Sequence, residues 1–281
     1  IFTMVELLEF IGLKIKIIKK SNTLEISNNG NKINTLAPYK LVKTMRAGVL
    51  VLGSLLTKHG KAKVSLPGGC AIGTRPVDLH LLALKKLGAK IKIKDGYIIA
   101  KAKKGLKGST IKFPSISVGA TENALLAAFN AKGKTILKNC AIEPEIKDLV
   151  SFLKKIGANI KISGRTIFIN ESLDKKLEAC HEIMFDRIEA GTYMIASALV
   201  GKKVKIDRVE PKIIKTEINT LKKIGVKLKK DKSSITIFKN KNFKQINILT
   251  KPYPGFPTDL QAQLMVLLTQ AEGTSKIKED I

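Results

Sequence analysis

Hydrophobic and polar positions along the chain repeat in blocks of roughly 70 residues. The segments LLEFIGLKIKI, LALKKLGAKIKI, FLKKIGANIKI and LKKIGVKLKK contain Gly12, Gly88, Gly157 and Gly225, at intervals of 76, 69 and 68 residues. Each segment predicts the end of an amphipathic helix, a glycine cap and a strand with alternating side chains. A second strand is predicted after a short polar turn, as in IKIKDGYIIA.

Between these segments lie stretches that become almost wholly apolar: PYKLVKTMRAGVLVLGSLL, SVGATENALLAAFNA, FDRIEAGTYMIASALV and FPTDLQAQLMVLLTQ. Such stretches predict buried helices. Thr258 with Gln261 and Asp186 with Glu189 have the spacing of a capping box. If rotation relates the units, several helix starts converge and their N–H groups attract anions. The alternative is that these are ordinary caps on core helices.

The pattern as a whole predicts a globular α/β chain built from tandem units, each with one outer helix, one buried helix and several strands. Its 281 residues suffice for two domains. The longest apolar runs, such as AGVLVLGSLL, are shorter than the ~18 residues that suggest a membrane span. We therefore expect no membrane partner.

The net charge of +28 raises the possibility of nucleic-acid binding. However, the lysines are spread through nearly every predicted element, aromatic residues make up 5%, and tryptophan is absent. We interpret the lysines as solvated surface and expect no nucleic-acid partner. Arginine is rare, so Arg46, Arg75 and Arg187, in motif-like segments, are candidates for gripping phosphate or carboxylate.

One loop, SLPGGCAIGTRPVD, places Cys70 among glycines and five residues before Arg75. This composition indicates a mobile thiol near an anion-binding arginine. The other cysteines, Cys140 and Cys180, are interpreted as incidental. Three cysteines at these spacings, with three scattered histidines, favour reduced thiols in a cytoplasm and no metal site.

The segments SLPGGCAIGTRPVDLH, APYKLVKTMRA, SVGAT, EPEI, FDRIEAGT, FPTDLQAQ and AEGT, in this order, resemble the UDP-N-acetylglucosamine 1-carboxyvinyltransferase family of enolpyruvyl transferases. The resemblance runs the whole length of the chain. It implies an inside-out αβ barrel fold with two domains of repeated units. It also implies transfer of the enolpyruvyl group of phosphoenolpyruvate to the 3′-hydroxyl of the sugar, with phosphate release, as the first committed step of peptidoglycan synthesis.

The resemblance also assigns residues to roles. Cys70 would donate a proton to the methylene carbon of phosphoenolpyruvate, with which it can form an adduct, and Asp259 would accept the proton of the 3′-hydroxyl. Arg75 would bind phosphate or carboxylate, and Arg46 would lie near the substrates. The residues implied at the nucleotide are Pro76, Val77, Asp78, Leu79, Ser117, Val118 and Ile281.

Some features depart from the family pattern. Ser115 stands where the family sometimes has a basic residue, so the resemblance implies one nucleotide contact fewer here. The chain begins with Ile1, and the resemblance predicts further segments at both ends. We therefore expect an internal fragment, with a first domain over residues 1–184 that carries Cys70 and a partial second domain over 185–281 that carries Asp259. We expect this chain alone to show little or no turnover.

The expected partners are phosphoenolpyruvate and UDP-N-acetylglucosamine. We expect no cofactor, a monomer, a cytoplasmic location and a role in cell wall biogenesis, cell shape and division. A first alternative is the related 3-phosphoshikimate 1-carboxyvinyltransferase, which shikimate 3-phosphate as acceptor would distinguish. A second alternative is a basic RNA-binding repeat module, whose RNA affinity would fall steeply with added salt.

Overall fold

The computed structural model describes residues 1–28, 30–68, 77–172 and 178–279. The chain divides into two compact units. Unit 1 comprises Ile1–Ile142 and Leu149–His181, and unit 2 comprises Glu143–Asp148 and Glu182–Ile281.

Helices and strands alternate along unit 1. The helices are α1 (Phe2–Ile11), α2 (Tyr39–Val42), α3 (Val51–His59), α4 (Asp78–Lys86), α5 (Val118–Ala128) and α6 (Pro144–Lys155), whose first residues belong to unit 2. The strands are β1 (Lys14–Ile18), β2 (Thr23–Ser27), β3 (Leu36–Ala37), β4 (Lys61–Ser65), β5 (Lys90–Lys94), β6 (Tyr97–Lys101), β7 (Thr110–Lys112), β8 (Thr135–Lys138), β9 (Asn159–Ser163) and β10 (Thr166–Asn170). Two 3₁₀ helices span Lys19–Ser21 and Arg46–Leu50.

Two four-stranded sheets of unit 1 have the same topology. Their strand orders are β3-β4-β6-β5 and β7-β8-β10-β9. In each sheet the first two strands are parallel and the remaining neighbours are antiparallel. In addition, β1 and β2 form an antiparallel hairpin. The repeat predicted from the sequence is confirmed in these two sheets, since each combines a parallel strand pair and a hairpin with an outer helix, α4 or α6.

The glycines at the repeat centres end the outer helices. Gly12, Gly88, Gly157 and Gly225 have φ values of 108°, 96°, 97° and 100°. A side chain strains this left-handed conformation, and glycine adopts it freely. The chain can therefore leave each helix directly into the following strand.

Unit 2 contains a third, smaller copy of the pattern. Its helices are α7 (Arg187–Val200), α8 (Lys215–Ile224) and α9 (Gln261–Leu268), with a 3₁₀ helix at Thr258–Leu260. Its strands are β11 (Lys203–Asp207), β12 (Leu228–Lys230), β13 (Ser234–Phe238), β14 (Phe243–Lys244), β15 (Asn247–Leu249), β16 (Ala271–Glu272) and β17 (Lys276–Lys278). The sheet orders are β11-β13-β12, β14-β16 and β15-β17, and the two-stranded sheets are parallel.

Burial of the apolar helices follows the prediction only in part. In α5 most residues are buried, among them Leu125 and the polar Asn123. In α9, however, Met265 is 52% and Val266 57% exposed, because described residues pack only against the opposite face. The stretch before β4 is also not one helix but α2, a 3₁₀ helix and α3 in succession. The α/β class itself is confirmed.

Candidate functional site

The residues that the resemblance assigns to the nucleotide lie at the starts of two helices in unit 1. Val77 is the N-cap residue of α4, and Asp78 and Leu79 open its first turn. Ser117 is the N-cap residue of α5, and Val118 is its first helical residue. First-turn N–H groups lack partners inside their own helix and carry the positive end of its dipole. Both segments can therefore bind anionic or hydrogen-bond-accepting groups.

His80 and Asn123 connect these two helices to α3 inside unit 1. Asn123 Oδ1 accepts a hydrogen bond of 2.8 Å from the backbone N–H of Gly53, in the first turn of α3. Its Nδ2 donates to the carbonyl of Val49 at 3.2 Å and lies 3.1 Å from His80 Nδ1. His80 is 2% exposed and Asn123 is fully buried. Asn123 thus caps α3 from outside and holds the ring of His80.

These contacts determine the tautomer of His80. A backbone N–H can only donate, so Asn123 presents its oxygen to Gly53 and its NH₂ group to His80. Nδ1 of His80 is then the acceptor, and the proton resides on Nε2. Burial, reinforced by the charge of Arg46 and opposed by that of Asp78, lowers the pKa of His80 to about 4. The ring is therefore neutral near pH 7.

The first turn of α5 lies close to the same ring. A β-carbon on Gly119, in the first turn of α5, would lie 3.2 Å from Cε1 and 3.4 Å from Nε2 of His80. Arg46 opens the 3₁₀ helix before α3, and its charge acts on His80. The helix starts at Asp78 and Ser117 thus meet at His80, where the charge of Arg46 also acts, and this arrangement favours an anionic ligand.

Ser117 is fixed by the hydrogen bonds of its own helix start. Its Oγ accepts from the N–H of Ala120 at 3.3 Å, and its carbonyl accepts from Thr121 Oγ1 at 2.7 Å. The same Thr121 oxygen accepts from the N–H of Ala141 at 3.1 Å. The first turn of α5 is therefore anchored to the chain segment that follows β8.

Asp259 lies in unit 2, exposed on the 3₁₀ helix that precedes α9. The next residue, Leu260, is buried against Gly191 of α7. A β-carbon on Gly191 would overlap Leu260 Cδ1 and lie 3.0 Å from its Cδ2, so the leucine would have to shift. This contact holds the segment that carries Asp259 against α7.

One of the two predicted helix caps forms as expected. The carboxylate of Asp186 accepts hydrogen bonds from the N–H groups of Ile188 at 2.8 Å and Glu189 at 3.0 Å, at the start of α7. The prediction for Thr258 is wrong, because the structure gives its hydroxyl no cap bond. That hydroxyl instead donates to the carboxylate of Glu279, 2.7 Å from each oxygen. In the predicted capping box the hydroxyl would accept from the N–H of Gln261, whereas here it donates to a charged carboxylate, which makes a stronger hydrogen bond.

A buried charged cluster surrounds the first residue of α7. Arg187 Nε donates to Glu145 Oε1 at 2.8 Å, and its Nη1 lies 3.7 Å from Glu217 Oε1. The guanidinium carbon lies 5.9 Å from the ring centroid of Tyr253. Burial raises the pKa of Glu217 above its ordinary value, and the charge of Arg187 opposes this shift. Arg187 therefore compensates carboxylates that would otherwise be costly to bury.

The remaining candidate residues divide between the described and undescribed parts of the chain. Cys70, Arg75, Pro76 and Ile281 lie outside the described residues. Cys140 is fully buried, and burial raises its pKa to about 12, whereas Cys180 is exposed. Within the described ranges, no helix is long and apolar enough to cross a bilayer. No group of three His, Cys, Asp or Glu in those ranges could hold a metal ion.

Sequence reasoning did not single out His80 and Asn123, which hold the unit 1 site together, or the partners of Arg187 in unit 2. His80 follows the predicted contact Leu79 directly, but nothing local indicates that it is buried. Asn123 carried a signal, since an amide inside an otherwise apolar helix needs a buried partner. The partners of Arg187 come from segments 42 and 30 residues away in the sequence, so local patterns could not reveal them.

The whole chain, residues 1–281, matches the family model of EPSP synthase (3-phosphoshikimate 1-carboxyvinyltransferase). It is 58% identical over 279 residues to the UDP-N-acetylglucosamine 1-carboxyvinyltransferase of Pelagibacter ubique, and 48% identical to that of Endomicrobium trichonymphae. Each match covers 99% of this chain and 66% of the relative. The chain thus spans about two thirds of the length of these curated relatives.

Solved structures show the same fold at lower identity. The enolpyruvyl transferase NikO from Streptomyces tendae is similar with a TM-score of 0.83 at 21% identity, over 99% of this chain and 66% of that one. An EPSP synthase from Acinetobacter baumannii is similar with a TM-score of 0.69 at 18% identity, over 98% of this chain and 64% of that one. The chain therefore belongs to the EPSP synthase family of enolpyruvyl transferases.

Proposed function

We propose that this protein transfers the enolpyruvyl group of phosphoenolpyruvate to the 3′-hydroxyl of UDP-N-acetylglucosamine, releasing phosphate in peptidoglycan synthesis. The observation that carries the proposal is the meeting of two helix starts at His80, where the charge of Arg46 also acts, at the segments that the resemblance assigns to the nucleotide. The names of the relatives support the choice of acceptor.

The nucleotide is proposed to bind at the starts of α4 and α5. Its phosphates carry the charge that first-turn N–H groups and Arg46 attract. Arg75 is proposed to bind a second anionic group, either phosphate or carboxylate. The proposed nucleotide contacts are Pro76, Val77, Asp78, Leu79, Ser117, Val118 and Ile281.

In the proposed reaction Cys70 donates a proton to the methylene carbon of phosphoenolpyruvate while the 3′-oxygen of the sugar bonds to the adjacent carbon. Asp259 accepts the proton that the hydroxyl loses. Loss of phosphate from that carbon and of a proton from the new methyl group then restores the double bond. These steps need no redox partner, which agrees with the expectation that the enzyme uses no cofactor.

The location and wider role follow from this reaction. We propose a cytoplasmic monomer that supplies cell wall biogenesis and so contributes to cell shape and division. UDP-N-acetylglucosamine and phosphoenolpyruvate are its proposed small-molecule partners. The matching family model carries the name of an enzyme that acts on 3-phosphoshikimate, so shikimate 3-phosphate serves as the control acceptor.

The proposal is tested by the alkylation rate of each cysteine, mapped by mass spectrometry with and without UDP-N-acetylglucosamine. We expect the nucleotide to change the rate at Cys70. Cys140 should stay unreactive because it is buried and its pKa is raised to about 12. Cys180 is exposed and serves as the internal control whose rate should not change.

A chain with Ser117→Ala should lose the response at Cys70, since the cap that orders the start of α5 is removed. If shikimate 3-phosphate protects Cys70 and the sugar nucleotide does not, the proposed acceptor is wrong. If neither compound changes any cysteine, the proposal of a nucleotide site in this chain is contradicted.

A further inference from the structure

Strand register gathers lysines on one face of the sheet β3-β4-β6-β5. Lys90 pairs with Lys101, which also pairs with Lys61, so three lysines lie side by side across the sheet. Alternate residues along β4 and β5 add further lysines on the same side. We call this surface the lysine face; it consists of Lys61, Lys63, Lys90, Lys92, Lys94 and Lys101.

Burial confirms that these side chains share the outer side of the sheet. All six lysines are exposed, whereas the intervening residues Ala62, Val64, Ile98 and Ala100 are buried on the other side. No ion pair of these lysines occurs among the described residues, and β4, β5 and β6 contain no Asp or Glu. Asp95, in the turn between β5 and β6, is the nearest acidic residue in the sequence.

The lysine face is small enough for its charges to act together. Strands about 4.8 Å apart and a rise of about 3.4 Å per residue give an area of roughly 10 by 14 Å across the three strands. This is comparable to the Debye length of about 8 Å at physiological ionic strength. A partner with dense negative charge therefore meets several lysines at once.

The chemistry of this face disfavours nucleic acid and protein partners. Its one aromatic ring, Tyr97, has Lys63 Nζ 4.6 Å from the ring centroid, so that side of the ring is occupied rather than open to a base. The face contains no arginine to grip a phosphate with two hydrogen bonds. Lysine is also depleted in protein interfaces.

A lipid surface fits these properties. The lysine face is flat and has no shaped pocket, and each of its flexible side chains carries a single charge. Such a surface matches a diffuse layer of negative headgroups. We infer that the lysine face docks the protein on a membrane surface rich in anionic lipid. This departs from the expectation of no membrane partner, because the sequence distributes the lysines evenly and only the strand register collects them.

The test is cosedimentation of the protein with vesicles of phosphatidylcholine containing about one third phosphatidylglycerol, at about 0.1 M salt. We expect binding to these vesicles and none to pure phosphatidylcholine. The test variant replaces Lys61, Lys90, Lys92 and Lys101 with glutamine. Since each lysine near such a surface contributes roughly fivefold, the loss of four should lower the affinity roughly 600-fold.

The matched control removes the same amount of charge from the other four-stranded sheet of unit 1. Lys112, Lys138 and Lys161 are exposed on its strands, and the exposed Lys134 directly precedes β8. Lys112 and Lys138 pair beside Thr166 rather than a third lysine. Glu171 accepts a hydrogen bond from the N–H of Gly133, next to Lys134. Replacing these four lysines with glutamine should change vesicle affinity by less than about fivefold.

Every outcome decides the inference. Equal losses in the two variants would show that net charge alone attracts the vesicles and would overturn it. Absence of binding by the unaltered protein would overturn it as well, and so would a preference of the lysine face for single-stranded RNA over the vesicles. The assay contains no sugar nucleotide, so its result does not depend on the proposed reaction.

Discussion

Replacing Asn123 with leucine should loosen the contact between α3 and α5. The leucine side chain keeps a similar volume but makes none of the three hydrogen bonds that Asn123 forms at 2.8, 3.2 and 3.1 Å. The N–H of Gly53 and Nδ1 of His80 then lose their partners in a fully buried site. Each unsatisfied group costs ~1–3 kcal/mol, and the added apolar burial offsets part of this, so we expect a loss of about 3 kcal/mol.

Hydrogen exchange followed by mass spectrometry measures this loss within unit 1 alone. Amides of α3 and α5 should exchange on the order of 100-fold faster in the variant. The control is Thr57→Val, which removes one hydrogen bond between the same helices, from Thr57 Oγ1 to the carbonyl of Ala127 at 2.9 Å. It should cost about 1 kcal/mol. If Asn123→Leu accelerates exchange no more than Thr57→Val, the amide does not hold the helices together.

Three further predictions concern other buried contacts. Because the pKa of His80 is lowered to about 4 in the folded state, its contribution to stability is complete above about pH 6.5 and is lost as the pH falls toward 4. NMR of the imidazole nitrogens should find a neutral, Nε2-protonated ring at about pH 5.5. A ring charged at that pH would refute the assignment. Gly191→Ala places a β-carbon against Leu260 and should destabilise unit 2 by ~1–3 kcal/mol. The loss should be seen as faster hydrogen exchange of the amides in α7. Unchanged exchange would mean that the contact relaxes freely. Arg187→Met leaves Glu217 buried without its counter-charge and should cost ~3–5 kcal/mol at pH 7. Because the pKa of Glu217 is raised, the loss should shrink as the pH falls toward 4.5 and the carboxyl is protonated; a loss independent of pH in thermal unfolding would contradict this.

Several parts of the fold could be predicted from the sequence because they depend on local chemistry. Gly12, Gly88, Gly157 and Gly225 end helices as expected, since each occupies a backbone conformation that side chains disfavour. Alternating residues in IKIKDGYIIA form the predicted hairpin of β5 and β6. The cap at Asp186 also forms, because its partners lie two and three residues away. The roles of Cys70, Arg75 and Asp259 stay predictions.

The sequence by itself determined the repeat, the helix ends and the segments from which the candidate site is built, since each is set by residues close together in the chain. The tertiary structure decided how His80 meets Asn123, which acceptor the hydroxyl of Thr258 finds and which carboxylates surround Arg187. It also decided that lysines of three strands share one face. These contacts join residues from 11 to 43 positions apart, where distance in space depends on packing and register rather than on local propensity.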